Sequence, residues 1–430
     1  MSPKKPWLYF AGALSAVGAA AAFGLMWRPA ITPISHPAQF DSAQVKRGEQ
    51  VVIAGDCAVC HTRPGGHYMA GGLALVTPFG TLYSTNITPD PATGIGNWSL
   101  EAFERAMRDG VSRDGHLLYP AFPYKHYRML SDQDIADAYA YLMSGPAVHQ
   151  PATPNQMKFP MNLRPLVSGW NLLFLRSKPF QADARQSQAV NRGRYLVEGA
   201  GHCGGCHTPL NILGAEKDSQ ALSGGTVDGW AAPSLLGLAR RDIPWTREQL
   251  VGYLQARVVA PHGTPAGPMR PVSQELARLP QADVEAIADY LLGLPATDPD
   301  GKPAQDPNAT ASAALLPASQ ARIDLGGELF QGACAGCHAA SAPMRQIDNR
   351  PSLTETSAAQ TGDPRNFIKT VLEGIAPTPG QPGPAMPPFA ASLDDRQLAA
   401  LAAFVRHQAH PEQPWRDLNA TIEALRQEAK

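Results

Sequence analysis

The sequence predicts an all-α protein of three tandem small domains behind an apolar N-terminal segment, and a threefold internal repeat carries that expectation. The segments VKRGEQVVIAGDCAVCH, VNRGRYLVEGAGHCGGCH and IDLGGELFQGACAGCH each read as a short opening helix, with a glycine near its start, running into Cys-x-x-Cys-His. Each copy ends in a closing run, LSDQDIADAYAYLM, LPQADVEAIADYLL or SLDDRQLAALAAFV, with apolar residues at helical spacing. A chain of 430 residues is long enough for two to four domains.

The elements follow in order. Ser131 and Ser392, each with an acid three residues on, are expected N-caps of the first and third closing helices. Ile135, Val284 and Leu398 hold matching places on the closing helices, as do Tyr141, Tyr290 and Phe404. The aromatic is expected where the closing helix crosses the opening one, over its glycine. Between the ends lie three middle helices, SLEAFERAMRDGV, TREQLVGYLQARV and RNFIKTVLEGI, and no alternating pattern long enough for a useful strand.

The expected domains are residues 40–145, 188–295 and 318–409. Residues 1–28 form a signal-anchor segment. Its uncharged stretch 7–26 is long enough to cross a bilayer as a helix, and Lys4 and Lys5 before it orient the rest of the chain outward. The alternative is a signal peptide cleaved around Ala19 to Ala22. The connection 146–187 is apolar and aromatic at its centre, suited to a partner, a membrane surface or the chain's own domains. Residues 296–317 read as a flexible linker and 410–430 as an amphipathic surface-helix tail.

Apolar residues make up 44% of the chain and charged ones 17%, a globular composition, and a net charge of −1 gives no footprint for nucleic acid. All six cysteines, Cys57, Cys60, Cys203, Cys206, Cys334 and Cys337, belong to the three motifs, so none remains for a structural disulfide. Cys-x-x-Cys-His is the c-type haem attachment pattern. Its two thiols can form thioethers to the vinyl groups of one haem, and His61, His207 or His338 then stands beneath the iron as proximal ligand. A zinc site needs further ligands that the repeats do not share, and a redox cysteine pair has no need of the histidine. Three covalent haems in an exported chain are the expectation. It makes the repeats class I cytochrome c domains, with the first segment as a transmembrane anchor.

A proximal histidine is oriented by a carbonyl acceptor. Pro233 and Pro351 are expected to supply it in the second and third copies, with Leu235 and Leu353 packing on the haem. The first copy has STNITPD there, so Thr85 or Asn86 must substitute. For the sixth position, Met269 in GTPAGPMRPV and Met386 in GQPGPAMPPF stand in proline-rich loops before the closing helix. Met344 follows its motif too closely. The first copy reads YPAFPYKHY, with Phe122 at the methionine position, and phenylalanine cannot bind iron. His126 is the expected donor; His116, Met129, Met69 and an open position are the alternatives.

The runs GDCAVCHTRPGG, FGTLYSTNITPDPATGIGNWS, YLVEGAGHCGGCHTPLNILGAE, HGTPAGPM and CAGCH resemble the tri-haem cytochrome c subunits of membrane-bound periplasmic dehydrogenases of the alcohol, gluconate and fructose type. The resemblance runs from Trp27 to about Trp415. PAFPY followed by histidine, in place of the alcohol type's Pro-Ala-Met-Pro-Tyr, is similar to the subset accompanying molybdenum hydroxylases of aldehydes, nicotinate or isoquinoline. The resemblance implies an electron-transfer and anchoring subunit, not itself an enzyme, on the periplasmic side of the bacterial cytoplasmic membrane. Its electrons would come from molybdopterin and iron–sulfur subunits and leave to ubiquinone or a downstream cytochrome. An alcohol- or gluconate-type partner, a stand-alone shuttle and a multihaem peroxidase or reductase are the alternatives.

Overall fold

Close approach of two helices at a glycine is repeated three times. The computed structural model describes residues 28–35, 39–299, 301–302, 319–346, 350–377 and 385–428. Opening helix Ser42–Ala54 packs against closing helix Asp132–Ser144. Gln188–Arg194, continued by a π-helix at Tyr195–Ala200, packs against Gln281–Gly293. Gln320–Leu329, continued by a π-helix at Phe330–Cys334, packs against Asp395–Ala409. A Cβ on Gly48 would lie 1.9 Å from the Asp137 carbonyl oxygen and 2.9 Å from Tyr141 Cβ. On Gly193 it would lie 1.9 Å from the Ala286 carbonyl and 2.8 Å from Tyr290 Cβ, and on Gly326 2.1 Å from the Ala400 carbonyl and 2.6 Å from Phe404 Cβ. The aromatic therefore packs over the glycine in every copy. Beside the crossing, Arg47 holds Asp137 and Arg192 holds Asp283, each at 2.8 Å.

The middle helices are Leu100–Asp109, Arg247–Leu254 and Arg365–Glu373. Caps set most starts: Ser99, Ser131, Ser187 and Thr246 accept backbone N–H groups from the first turn. At the third closing helix the cap is Asp394 in a capping box with Gln397, not Ser392. The Ser392 N–H is used in a turn to Phe389, which delays the helix by two residues.

Among the described residues two small antiparallel sheets also form. Ala74–Thr77 pairs with Gly80–Tyr83, whose outer edge takes Gln156–Met157, and Gly225–Val227 pairs with Trp230–Ala232. Strands of two to four residues are too short to show a period of two in the sequence, which is why the expected all-α class does not include them.

The chain divides into two compact units. One comprises the described residues up to Gln181 together with Glu198–His202; the other comprises Ala182–Val197 and the described residues from Cys203 onward. In the first unit the connection 146–187 packs back on its own domain. Val167 of helix Leu166–Phe174 is buried with Val111 and Leu117, and Tyr124 donates to Asn171 at 2.6 Å. Leu166, Leu172 and Leu173 stay exposed. In the second unit the tail helix Leu418–Glu428 buries Leu418, Ile422 and Leu425 in the core formed by Leu398 and Leu401. Asn366 exchanges two hydrogen bonds with the backbone of Ala231, joining the second and third repeats.

The transmembrane anchor in the expected fold class is withdrawn. Among the described residues no helix is long and apolar enough to cross a membrane. The longest, Asp395–Ala409, has 15 residues and rises about 22 Å, short of the roughly 30 Å hydrocarbon layer. Residues 7–26, on which the expectation rested, lie outside the described residues, as does most of the linker 296–317.

Gly193→Ala is expected to destabilise the second unit. Forcing a methyl against backbone costs about 1–3 kcal/mol and helix propensity returns at most ~1. Gly293→Ala, with nothing within 4 Å of the added Cβ, serves as control. Chemical denaturation of the two variants should show a lower midpoint for the first alone.

Candidate haem-attachment sites

Each cysteine motif is a short helix: Cys57–His61 entire, Gly204–His207, and Ala335–His338. None of the six cysteines is in a disulfide. Burial pushes the Cys57 thiol up to about 12 and raises Cys334 as well. A reactive redox pair or a zinc thiolate needs the opposite shift. Among the described residues no group of three or more His, Cys, Asp or Glu side chains is gathered as a metal site.

In the first two repeats the histidine of the motif is oriented by the same construction. The Nδ1–H of His61 donates to the Thr85 carbonyl at 2.6 Å, and that of His207 to the Pro233 carbonyl at 2.7 Å. A carbonyl can only accept, so Nδ1 carries the hydrogen and Nε2 presents its lone pair. Burial lowers the pKa of both rings, which keeps them neutral. The peptide after each motif then returns under it: Gly71 N–H donates to the His61 carbonyl, and Gly224 N–H to that of His207. From there a hairpin leads to the acceptor, Ala74–Tyr83 to Thr85 and Gly225–Ala232 to Pro233. Thr62 Oγ1 accepts from Met69 N–H and Thr208 Oγ1 from Leu222 N–H.

This equivalence resolves the choice between Thr85 and Asn86. Thr85 supplies the carbonyl, and Asn86 holds the loop that delivers it. The Asn86 side chain donates to Thr93 Oγ1 and the Val148 carbonyl, and accepts from the backbone and hydroxyl of Thr88. Asp90 in turn accepts from Ala92 and Thr93. The run TNITPD is thus a polar clamp, a role that its sequence alone did not disclose.

In the third repeat, Cys334, Leu353 and Met386 border one apolar cluster with Phe330 and Phe404. Among the described residues the His338 ring makes no bond to the Pro351 carbonyl; burial together with Arg350 and Arg345 lowers its pKa. Met386 is tied to Ile375, at the end of the middle helix, by two backbone hydrogen bonds of 2.9 and 3.0 Å. In the second repeat Met269 opens helix Met269–Leu276, two residues after Gly267 (φ 52°), on which the Trp230 indole lies so closely that a Cβ would fall 2.3 Å from the ring.

For the first repeat the structure separates the candidates. Met69 takes the place that Leu222 has in the second; both are buried, their N–H groups bond to the threonine after the motif, and both have φ 59°. His116 is exposed and paired with Asp114 at 2.6 Å. Met129 lies against Gly199. Phe122 packs on Tyr124 and Tyr127. His126 is buried in the short helix Tyr124–Tyr127, and its Nδ1–H donates to the Glu198 carbonyl at 2.7 Å, the same type of bond that orients His61 and His207. Sequence reasoning does not single out Glu198 or His202, whose ring reaches the Gly55 carbonyl at 3.2 Å. The available signal was a histidine immediately before the second motif, where the other two have Asp56 and Ala333.

The cytochrome c family model matches residues 45–146, and that of cytochrome c oxidase, cbb3-type, subunit III matches 321–405. The fructose dehydrogenase cytochrome subunit of Gluconobacter japonicus is 34% identical, over 86% of this chain and 80% of its own length. The chain belongs to the family of dehydrogenase cytochrome c subunits. The gluconate 2-dehydrogenase cytochrome c subunit of Pantoea cypripedii is 36% identical over 86% of each protein. A nicotinate dehydrogenase subunit of Pseudomonas putida is 47% identical over 97% of this chain, which spans only 35% of that protein's length. Membership of this family supports an electron-transfer role in a dehydrogenase complex.

Gly71→Ala should lower the haem-to-polypeptide ratio measured as pyridine haemochrome. Its φ of +74° disfavours a side chain, and the added Cβ would lie 2.4 Å from the Thr85 carbonyl carbon and displace the acceptor of His61. Gly65→Ala, at φ +69° but with nothing within 4 Å, controls for backbone strain alone.

Proposed function

We propose that the chain carries three covalent haems c. Cys57 and Cys60, Cys203 and Cys206, and Cys334 and Cys337 would form the thioethers, and His61, His207 and His338 would be the proximal ligands. Met269 and Met386 would supply the further iron donors of the second and third haems, and His126 that of the first. When bound, haem supplies one-electron chemistry. The polypeptide supplies tautomer-fixed imidazoles, thioether donors and apolar enclosure, which tune the potential. The observation that carries this reading is the repeated bond from Nδ1 to a backbone carbonyl, at His61, His207 and His126.

In this reading the three repeats are the domains 40–145, 188–295 and 318–409. They relay electrons on the periplasmic side of the cytoplasmic membrane, from a catalytic dehydrogenase partner to ubiquinone or a downstream cytochrome. The 47% identity to a nicotinate dehydrogenase subunit and the PAFPY run favour molybdopterin and iron–sulfur partner subunits. The gluconate and fructose dehydrogenase relatives support a second reading, with a partner of their type. Co-purification from the native membrane fraction distinguishes them: molybdenum in the isolated complex supports the first and its absence the second.

Pyridine haemochrome is expected to give three haems per chain. Met269→Ala and Met386→Ala should each remove about half of the near-infrared methionine-to-iron absorption, because each takes away one of two thioether ligands. Retention of the full band in either variant would remove that methionine from the assignment.

A further inference from the structure

The histidine before the second motif belongs to a closed ring of contacts around the first motif. Glu198–His202 is part of the first compact unit, although in sequence it is the approach to Cys203. The ring can be followed residue by residue. His126 donates from Nδ1 to the Glu198 carbonyl at 2.7 Å. Tyr127, next in sequence, donates its hydroxyl to the Gly55 carbonyl at 2.8 Å. His202 donates from Nε2 to that same carbonyl at 3.2 Å, and Gly55 lies two residues before Cys57. His202 also stands edge-on to Tyr127, with ring centroids 5.7 Å apart, and 6.4 Å from His126. Glu198 and His202 belong to one short segment, so the ring closes.

Two backbone features serve this arrangement. Glu198 lies in the π-helix Tyr195–Ala200, where the hydrogen-bond ladder is widened by one residue, a device common where a helix must present a group at a functional site. His202 has φ 36°, in the region an L-residue avoids. Such a conformation persists only where surrounding contacts over-determine it. A glycine would satisfy the backbone alone; the imidazole is what reaches Gly55.

We infer that His202 is a positioning residue for the first haem's sixth ligand: it clasps the Glu198–His202 segment to Gly55 and thereby holds the Glu198 carbonyl where it orients His126. The chain runs directly from this clasp into Cys203, so the ligand of the first haem is set by the peptide that also carries the attachment cysteines of the second. This inference rests on His126 being the ligand.

The test uses the full-length haem-loaded protein and reads the first haem by electron paramagnetic resonance, spectroelectrochemistry and carbon monoxide binding to the reduced form. His202→Asn keeps a residue tolerant of positive φ and removes the ring. It is expected to lose the low-spin bis-histidine signal of one haem, shift that haem's potential and open it to carbon monoxide. The near-infrared methionine band of the other two haems should stay intact. His126→Ala should give the same loss in full. If His126→Ala leaves the low-spin signal unchanged, the ligand reading falls and this inference with it. If His126→Ala changes the signal and a fully loaded His202→Asn does not, the positioning role alone is overturned. Should His202→Asn fail to load haem, Tyr127→Phe decides. It keeps the ring contact and removes one of the two clasps on Gly55. A partial shift of the first haem's potential supports the inference, and an unchanged potential overturns it.

Discussion

The tightest constraint in this protein is the backbone contact between opening and closing helices at Gly48, Gly193 and Gly326. Because no Cβ intervenes, each glycine lies directly on a carbonyl of the closing helix, and the aromatic one turn further on covers it. The cysteine motif follows the opening helix within a few residues, so the crossing governs where both thiols and the motif histidine stand. The middle helix packs around that frame, and in the third repeat Met386 is held at its end by two backbone hydrogen bonds. An ångström of separation at the crossing would move the whole attachment motif relative to the domain that must enclose it.

Onto this frame the protein adds a second device, a short hairpin that brings a backbone carbonyl to Nδ1 of the motif histidine. In the first repeat it ends at Thr85 and in the second at Pro233, with the same glycine return and threonine bond preceding it. Side-chain identity at the acceptor is free to differ because the bond is made by backbone. What must stay the same in physical terms is the loop's position, achieved by Asn86 and Asp90 in one case and by the fixed φ of proline in the other. The imidazole is thereby held in one tautomer while burial keeps it neutral, the form suited to bind iron.

The electron-carrier role is consistent with this economy. Every cysteine belongs to an attachment motif. In the proposed ligation, the residues that distinguish the repeats, His126 against Met269 and Met386, differ at the sixth position, where potential is adjusted. Three similar frames, one with a histidine and two with a methionine at that position, would make a set of carriers rather than one reactive centre.

Much of this was written in one dimension. The three motifs, the helix pairs, the glycines and their aromatics, and the loop methionines were legible because each depends on local spacing or on repetition along the chain. Other features depended on chain segments far apart in sequence or on turns too short to leave a pattern. Thr85 as acceptor, Asn86 as clamp, the two-to-four-residue strands, Asp394 in place of Ser392 as cap, and the return of Leu166–Phe174 onto its own domain are of this kind. A hydrogen bond such as that of His126 to Glu198 joins residues 72 apart through a backbone carbonyl, which leaves no mark on residue identity. The sequence by itself determined the number of attachment motifs and the helices that carry them, since bonding spacing and helical periodicity are local. Only the tertiary structure decided which carbonyl meets which imidazole, because carbonyls are chemically alike and position alone selects among them.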